Sequence, residues 1–194
     1  EQAIERAVQL IQESQRPYLF VGGGAVISEA SQELLEFAER VHAPVADSLM
    51  GKGAFDGHHG LYTGMLGMHG TKTSNYGVSE CDLLIGIGVR FSDRVTGNAR
   101  KFAQHARILQ FDVDPAEINK NVVTDAHIIG VIRDILAALN RRLPQQDHAP
   151  WIEKIMGYKA AYPLTYHSQG LTGPYLVEEI YRQTQGDAII VTEV

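Results

Sequence analysis

Two hydrophobic patterns alternate along this chain of 194 residues. Five short, nearly continuous apolar runs are bounded by glycine, proline or polar residues: 17–21, 44–47, 83–88, 107–112 and 127–131. Runs of this length and composition predict strands buried on both faces of a parallel sheet. The main helices predicted between and around them lie at 1–14, 28–41, 71–80 and 132–143, the second with Ser28 as its N-cap.

Strands that alternate with helices at this spacing imply right-handed βαβ crossovers. We therefore predict an α/β fold with three α/β/α layers, in which helices cover both faces of a parallel sheet. The stretch from Ser48 to Gly70 is punctuated by glycine and is predicted to be a loop. Asp114 and Pro115 are predicted to begin a short helix after the fourth of the five strands.

The segment 144–150 carries two prolines and has no periodicity, so it is predicted to be a linker. It follows a first domain at 1–143, in which 1–14 is the N-terminal helix. The elements predicted beyond the linker are two helices and a strand, at 151–161, 175–184 and 188–192. We interpret 151–194 as linker helices followed by the truncated start of a second α/β domain.

Composition narrows the class of protein. With 44% hydrophobic and 21% charged residues, the chain is typical of globular domains. A net charge of -6 argues against a broad nucleic-acid or membrane-binding surface, because a phosphate backbone needs a basic face. The single cysteine, Cys81, is predicted to be an inert core thiol and is compatible with a reducing compartment. Because neither a leader nor an apolar run of about eighteen residues is seen, we expect a cytoplasmic protein.

The turn at 88–98 concentrates charge directly after a predicted strand. Arg90, Asp93 and Arg94 lie within it. In parallel sheets, ligands lie beyond the carboxyl ends of the strands, and guanidinium groups offer planar pairs of donors to phosphate oxygens. Asp93 can orient one arginine or accept from a hydroxyl or ring N–H. An ordinary arginine–aspartate pair in a surface turn is the equally weighted alternative.

Gly22, Gly23 and Gly24 follow the first predicted strand. Such a turn lets backbone N–H groups approach a pyrophosphate. The third glycine of the dinucleotide-binding pattern is absent, and a tight structural turn is nearly as good an interpretation. Asp47 ends the second predicted strand, where a dinucleotide fold holds a ribose. By itself, this position does not distinguish a ribose-binding residue from a structural one.

Other polar segments leave alternatives open. Between 63 and 71, methionines, a leucine and glycines surround His69, which suits either plain core packing, the commoner role, or an adaptable wall against a flat heterocycle. One of the two acids at 112 and 114 is predicted to cap a helix and the other to meet a ribose or adenine, and Asp125 has the same ambiguity. His58 and His59 are expected to be solvated. No nucleophile elbow, P-loop or zinc-protease motif occurs.

Three long motifs, in order, closely resemble the central domain of acetolactate synthase (acetohydroxyacid synthase) catalytic subunits, which are thiamine-diphosphate enzymes: Gly64-Met-Leu-Gly-Met-His-Gly70, Asp82-Leu-Leu-Ile-Gly-Ile-Gly-Val-Arg-Phe-Ser-Asp-Arg-Val-Thr-Gly97 and Phe111-Asp-Val-Asp-Pro-Ala-Glu-Ile-Asn-Lys120. The resemblance covers essentially the whole chain. It implies a Rossmann-like fold with a six-stranded parallel sheet, one strand more than the pattern predicts, and FAD bound in an extended conformation. Central domains of glyoxylate carboligase or pyruvate oxidase are close alternatives, and a non-catalytic nucleotide-binding module is an alternative from another class.

Carried over by motif, the resemblance implies FAD contacts along most of the domain. They fall on Gly22, Gly23, Gly24, Leu49, Leu66, Met68, His69, Gly88, Arg90, Asp93, Arg94, Val95, Asp112, Val113, Asn119, Asp125 and Ala126. Many family members have two aspartates where this chain has Ser92 and Asp93, so the contact of the first aspartate is not carried over.

The same resemblance implies a parent enzyme that condenses two pyruvates, or pyruvate and 2-oxobutyrate, with decarboxylation, in branched-chain amino acid biosynthesis. Family members build the thiamine-diphosphate and Mg²⁺ site from an N-terminal domain with a catalytic glutamate and a C-terminal domain with a G-D-G…N motif, neither of which is in this chain. We therefore expect no catalytic and no metal-binding residue here, and a mainly structural FAD. The implied partners are the flanking domains, a homodimeric or homotetrameric assembly and a small regulatory subunit, without nucleic acid or membrane.

Overall fold

The computed structural model describes residues 1–167 and 170–191, which form two compact units divided between Tyr162 and Pro163. The first unit is built on a six-stranded sheet with all neighbouring strands parallel, in the order β3-β2-β1-β4-β5-β6. The strands are β1 Pro17–Val21, β2 Val45–Asp47, β3 Tyr62–Met65, β4 Leu83–Ile87, β5 Arg107–Asp112 and β6 Ala126–Ile129. The predicted α/β class with a six-stranded parallel sheet is confirmed.

Helices cover both faces of this sheet. They are α1 Gln2–Glu13, α2 Gly23–Ile27, α3 Ser31–Val41, α4 Lys72–Glu80, α5 Asp93–Thr96, α6 Ile132–Asn140 and α7 Ala149–Ala161. One core packs α1, α3 and α6 against one face, and a second core packs α4 and α7 against the other. In the part of the chain that the structure describes, no helix is both long and apolar enough to cross a membrane.

Strand β3 lies inside the stretch predicted to be a loop. Its sequence lacks a continuous apolar run, and hydroxyl groups connect it to the neighbouring elements instead. The Thr63 hydroxyl donates to the Val45 carbonyl oxygen (2.9 Å) and lies 2.6 Å from the Tyr18 hydroxyl and 2.9 Å from that of Ser74. Buried polar groups of this kind are stable only when they are paired. This network therefore stabilises an edge strand that hydrophobicity alone does not indicate.

The helix predicted at 28–41 is two helices with a break between them. The Ser28 hydroxyl donates to the Gly24 carbonyl oxygen at 2.8 Å, so Ser28 closes α2 and does not cap α3. Glu29 then takes a left-handed conformation with φ of 53°, and α3 begins after Ala30. The prediction of Ser28 as the N-cap is therefore wrong.

Helix α7 packs within the first unit, although the sequence pattern grouped it with the segment that follows. Trp151 is 3% exposed and Ile155 is fully buried in the core on the α4 face. The Trp151 indole nitrogen also donates to the Pro17 carbonyl oxygen at 2.9 Å. These contacts place α7 in the first compact unit, which extends to Tyr162.

Hydrogen bonds close the amino-terminal edge of the sheet, where the strands begin. The Asp82 carboxylate accepts from the Ser14 hydroxyl and from the amides of Gln15 (2.9 Å) and Arg16 (3.0 Å). Burial disfavours the charged carboxylate, but these three hydrogen bonds outweigh it and lower the pKa of Asp82. Nearby, the ring nitrogens of His148 lie 2.8 and 3.1 Å from the carbonyl oxygens that end α3 and α1. These contacts fix this edge to the ends of α1 and α3, which pack on the same face of the sheet.

The second unit contains helix α8, Gly173–Thr184. The apolar side chains of Leu176, Val177 and Ile180 are 44, 68 and 44% exposed. The strand predicted at 188–192 is not formed over 188–191, and its last residue lies outside the described ranges. A strand needs a hydrogen-bonded neighbour, and the described part of this unit has no other strand to provide one.

Candidate functional site

The strand order reverses between β1 and β4. Strands β2 and β3 continue the sheet on one side of this pair, and β5 and β6 continue it on the other. In open parallel sheets, a crevice forms beyond the carboxyl ends of the strands at such a reversal, since the two connections leave in opposite directions. Gly22 and Gly88 are the first residues after these two strands, so both predicted turns meet at the crevice.

The glycine turn and the β4 turn pack directly on each other. The Gly22 amide donates to the Ile87 carbonyl oxygen and the Gly24 amide to that of Gly88, both at 2.9 Å. A Cβ at Gly22 would lie 2.3 Å from the Gly88 oxygen, and Gly88 itself has a φ of 58°. Two of the three amides in the turn are thus used within the protein, which leaves the amide of Gly23 for a ligand. Close packing of two strand ends explains these glycines.

The charged turn presents two arginines to solvent. Arg90 and Arg94 are both exposed, and the Asp93 carboxylate accepts from the Arg94 backbone amide at 2.9 Å. Within residues 1–167 and 170–191, neither arginine side chain pairs with Asp93. The alternative of an ordinary arginine–aspartate pair is therefore not what the structure contains. Cations at this edge remain accessible to an anion.

The Met-His-Gly loop contacts α5 of the charged turn. The Met68 amide donates to the Arg94 carbonyl oxygen at 2.9 Å. A Cβ at Gly67 would lie 2.7 Å from that same oxygen, so the two segments approach as closely as their backbones allow. Asn75 holds the loop through hydrogen bonds to the Gly67 amide and carbonyl, at 3.3 and 3.1 Å. The structure thereby brings together Leu66, Met68, His69, Arg94 and Val95.

The end of β5 supplies a further wall. Asp112 is 8% exposed and one of its carboxylate oxygens accepts from the Asp114 amide at 3.1 Å, while Val113 is 65% exposed. Asp114 caps the short turn Pro115–Glu117 through the Ala116 amide, as predicted for one of the two acids. The Asn119 side-chain oxygen accepts from the amide and hydroxyl of Thr124, so this oxygen closes its own loop.

Two of the residues assigned to the site lie elsewhere. Asp125 and Ala126 precede and begin β6, and the Asp125 carboxylate accepts from the Ile108 amide near the start of β5, at 2.7 Å. They therefore lie at the amino-terminal edge and are not brought together with the other candidates. The residues that do reach the crevice from β6 are Gly130, whose amide donates to the Asp112 carbonyl oxygen, and Val131 after it. The sequence analysis missed them because it extended the strand to 131.

Asp47 is engaged within the protein. Its carboxylate accepts from the Tyr62 hydroxyl at 2.7 Å and from the Lys52 ammonium at 3.3 and 3.4 Å. Burial, together with the Asp47 charge, raises the pKa of the Tyr62 phenol. Both carboxylate oxygens are occupied, so Asp47 has a structural role at the end of β2 that accounts for its burial. Leu49 follows it in the turn Leu49–Gly51 and is 65% exposed.

The cysteine and the neighbouring histidines considered in the sequence analysis do not form a reactive or metal-binding site in the part of the chain that the structure describes. Burial raises the pKa of the Cys81 thiol, which agrees with a core residue. His58 is exposed, whereas His59 is partly buried and lies 3.3 Å from the Glu39 carboxylate. Across 1–167 and 170–191, no three histidine, cysteine or acidic side chains are grouped to hold a metal ion.

The six-stranded parallel sheet with this order, which carries a glycine turn and exposed arginines at the reversal, defines an α/β domain of the Rossmann type. Residues 4–139 match the family model described as the central domain of thiamine pyrophosphate enzymes, and the chain belongs to that family.

Curated relatives agree with this assignment. The chain is 54% identical to a probable acetolactate synthase large subunit of Methanocaldococcus jannaschii over 80% of its own length and 27% of that protein. It is 45% identical to the acetolactate synthase large subunit of Parasynechococcus marenigrum over 99% of its length, and 37% identical to the isozyme 3 large subunit of Escherichia coli over 98%. The chain spans about a third of these relatives, namely 32% and 35% of the latter two. The predicted family is confirmed.

Proposed function

We propose that this chain is the FAD-binding central domain of an acetolactate synthase large subunit. The observation that carries the proposal is the pair of exposed arginines, Arg90 and Arg94, at the reversal point of a chain with a net charge of -6. Guanidinium groups bind phosphate oxygens with two parallel hydrogen bonds, and a diphosphate offers several such oxygens. A local cationic edge on an acidic domain supports a phosphate-containing ligand.

The side chains around the arginines fit a flavin dinucleotide. Leu49, Met68 and Val113 are 65, 67 and 65% exposed at the same edge, where they provide apolar contact for flat rings. Asp112 keeps one carboxylate oxygen beyond its bond to Asp114, which suits a ribose hydroxyl or an adenine amino group. The residues proposed to hold FAD are those brought together at the crevice, without Asp125 and Ala126.

The proposed parent enzyme decarboxylates pyruvate and joins the fragment to pyruvate or 2-oxobutyrate, toward branched-chain amino acids. Thiamine diphosphate, held with Mg²⁺ by flanking domains, supplies the carbanion chemistry of that reaction. This chain contributes the flavin site and no catalytic residue. The proposal includes a cytoplasmic enzyme that forms homodimers or homotetramers and associates with a small regulatory subunit. The names of the relatives, which are large subunits, support a second kind of subunit.

The whole-enzyme proposal is tested on the full-length protein that carries this chain. With Mg²⁺ and thiamine diphosphate, it is expected to form acetolactate from pyruvate. Absence of product would refute the synthase assignment, and condensation of glyoxylate instead would favour the carboligase alternative. Flavin binding without any condensation would favour a nucleotide-binding module.

The flavin site is tested separately by substitution. We expect Arg90→Ala and Arg94→Ala to weaken FAD binding about fivefold to tenfold each, since each removes a charge-assisted contact at an exposed, screened position. The control is Arg141→Ala, which removes an exposed cation at the end of α6. Flavin affinities in the arginine variants equal to the control would contradict the assignment.

A further expectation concerns the isolated chain. A ligand held between domains loses contacts when its neighbours are absent, so the chain alone is expected to retain little FAD through gel filtration. The flavin absorbance per mole of eluted protein measures this. Stoichiometric, tightly retained FAD would show that the flanking domains contribute little to the site.

A further inference from the structure

Arg90 and a further cation, Lys120, meet at one largely buried carboxylate beside the crevice. Arg90 Nε lies 3.7 Å and Lys120 Nζ 2.7 Å from the same oxygen, Oε1 of Glu117. The Glu117 side chain is only 10% exposed, whereas those of Arg90 and Lys120 are 78% and 54% exposed. One acidic group thus holds two solvent-facing cations, and the cluster keeps a net positive charge.

The loop after β5 gives this cluster a fixed geometry. Glu117 ends the turn that Asp114 caps, and Asn119 adopts a left-handed conformation with φ of 59° before Lys120. The next residue, Asn121, donates from its side-chain nitrogen to the Phe91 carbonyl oxygen at 3.0 Å. The neighbours of Lys120 and Arg90 are therefore bonded to each other, independently of the ion pairs. Both cations are held at the carboxyl edge of β4 and β5.

The donors that remain free determine what the cluster can bind. Lys120 uses one N–H toward Glu117, and Arg90 approaches Glu117 through Nε, so within the described residues its terminal nitrogens keep their N–H donors unused. Two cations that share one carboxylate keep a net positive charge, which favours a multiply charged anion such as a diphosphate over a single carboxylate ligand.

We propose that Lys120 and Arg90, joined by Glu117, form a two-cation clamp for the diphosphate of the bound dinucleotide, with Lys120 as a direct ligand and Glu117 as a positioning residue. This inference rests on the proposed flavin function and deepens it. An ordinary exposed ion pair would contribute little to stability or binding, and its removal would leave ligand affinity unchanged. With the clamp, removal of the Lys120 cation lowers the affinity for ligands that contain phosphate and leaves the affinity for other ligands unchanged.

The test uses the full-length apoprotein and two probes, FAD and riboflavin, with binding followed by flavin fluorescence. We expect Lys120→Gln to weaken FAD binding about fivefold and to reduce its dependence on salt, because one phosphate contact is lost. Riboflavin, which lacks phosphate, is expected to bind the variant and the wild type equally. Arg141→Gln is the matched control, because it removes an exposed cation that has no side-chain partner in the described ranges.

Glu117→Gln tests the positioning role. It is expected to weaken FAD binding about threefold in the wild-type background and not at all in Arg90→Gln/Lys120→Gln, since its effect passes through the two cations. An equal loss in both backgrounds would mean a merely structural role and would overturn that part of the proposal.

The two proposals fail differently. A wild-type protein that binds no FAD overturns the flavin function and the clamp together. A wild-type protein that binds FAD, with Lys120→Gln indistinguishable from Arg141→Gln, overturns the clamp alone. An equal loss of FAD and riboflavin affinity in Lys120→Gln also overturns it, because the effect would not involve phosphate.

Discussion

Replacing Gly22 by alanine tests how strictly the crevice depends on contact between the ends of β1 and β4. The new Cβ would lie 2.3 Å from the Gly88 carbonyl oxygen and 2.6 Å from Val89 Cα, and both are backbone atoms. Since unbonded heavy atoms settle near 3.5 Å, the strand ends have to separate by about 1 Å. Overpacking of this kind costs about 1–3 kcal/mol, and stretching the Gly22 hydrogen bond to Ile87 adds about 1 kcal/mol. We expect the free energy of unfolding to fall by about 2–4 kcal/mol.

Two other glycines separate crowding from backbone strain. At Gly57, the nearest atom to a new Cβ is Tyr62 Cε1 at 3.7 Å and φ is ordinary, so Gly57→Ala is expected to be neutral or to stabilise by about 0.4–1 kcal/mol. Gly53 has φ of 91° with open space around it, so Gly53→Ala is expected to cost about 1 kcal/mol through strain alone. Urea unfolding, followed by circular dichroism, ranks the three variants. A Gly22→Ala loss no larger than that of Gly53→Ala would refute the crowding argument.

Three further predictions concern stability. Asp82→Asn is expected to cost about 1–2 kcal/mol at neutral pH, after allowance for partial exposure. The folded-state pKa of Asp82 lies below its ordinary 3.8, so the difference from wild type is fully present above about pH 5 and shrinks as the pH falls through that lowered pKa. A difference that grows as the pH is lowered would contradict this prediction. Thr63→Val is expected to cost about 1–3 kcal/mol, because it leaves the Tyr18 hydroxyl without its 2.6 Å neighbour, and a neutral effect in urea unfolding would exclude this role. Ending the chain after Leu143 removes α7 and is expected to lower the urea midpoint sharply, whereas ending it after Tyr162 is expected to leave the midpoint unchanged; equal midpoints for the two truncations would contradict the extended unit.

The central strands were predictable because buried strand positions are occupied by apolar residues, which form a recognisable run in the sequence. β1 and β4 are buried at every position, so their sequences are almost continuously apolar. Strand β3 was not predictable in this way, since a hydroxyl network around Thr63 holds it in place. The break at Ser28 was missed for a related reason. A serine hydroxyl can cap a following helix or bond back to the preceding turn, and only the tertiary structure decides between them.

The candidate site likewise combines features that could be predicted from the sequence with features that depend on the tertiary structure. The charged turn after β4 was placed correctly by topology, because the end of a parallel strand has a known edge. Asp125 was assigned to the site through the family resemblance, whereas its carboxylate bonds to the Ile108 amide at the edge where β5 begins. The ion pairs of Glu117 were not foreseeable, since they join residues 27 and 3 positions away in a loop whose path depends on Asn119 and Asn121.

The hydrogen bonds at the amino-terminal edge have a consequence for how this domain can change. Asp82, His148 and Trp151 anchor the helical layers about 16 Å from the crevice, one strand length away. Mutations that remodel the loops at the opposite edge leave these anchors untouched. Ligand preference can therefore change during evolution, or be redesigned by loop exchange. Any loss of stability is then confined to the contacts of the altered loops.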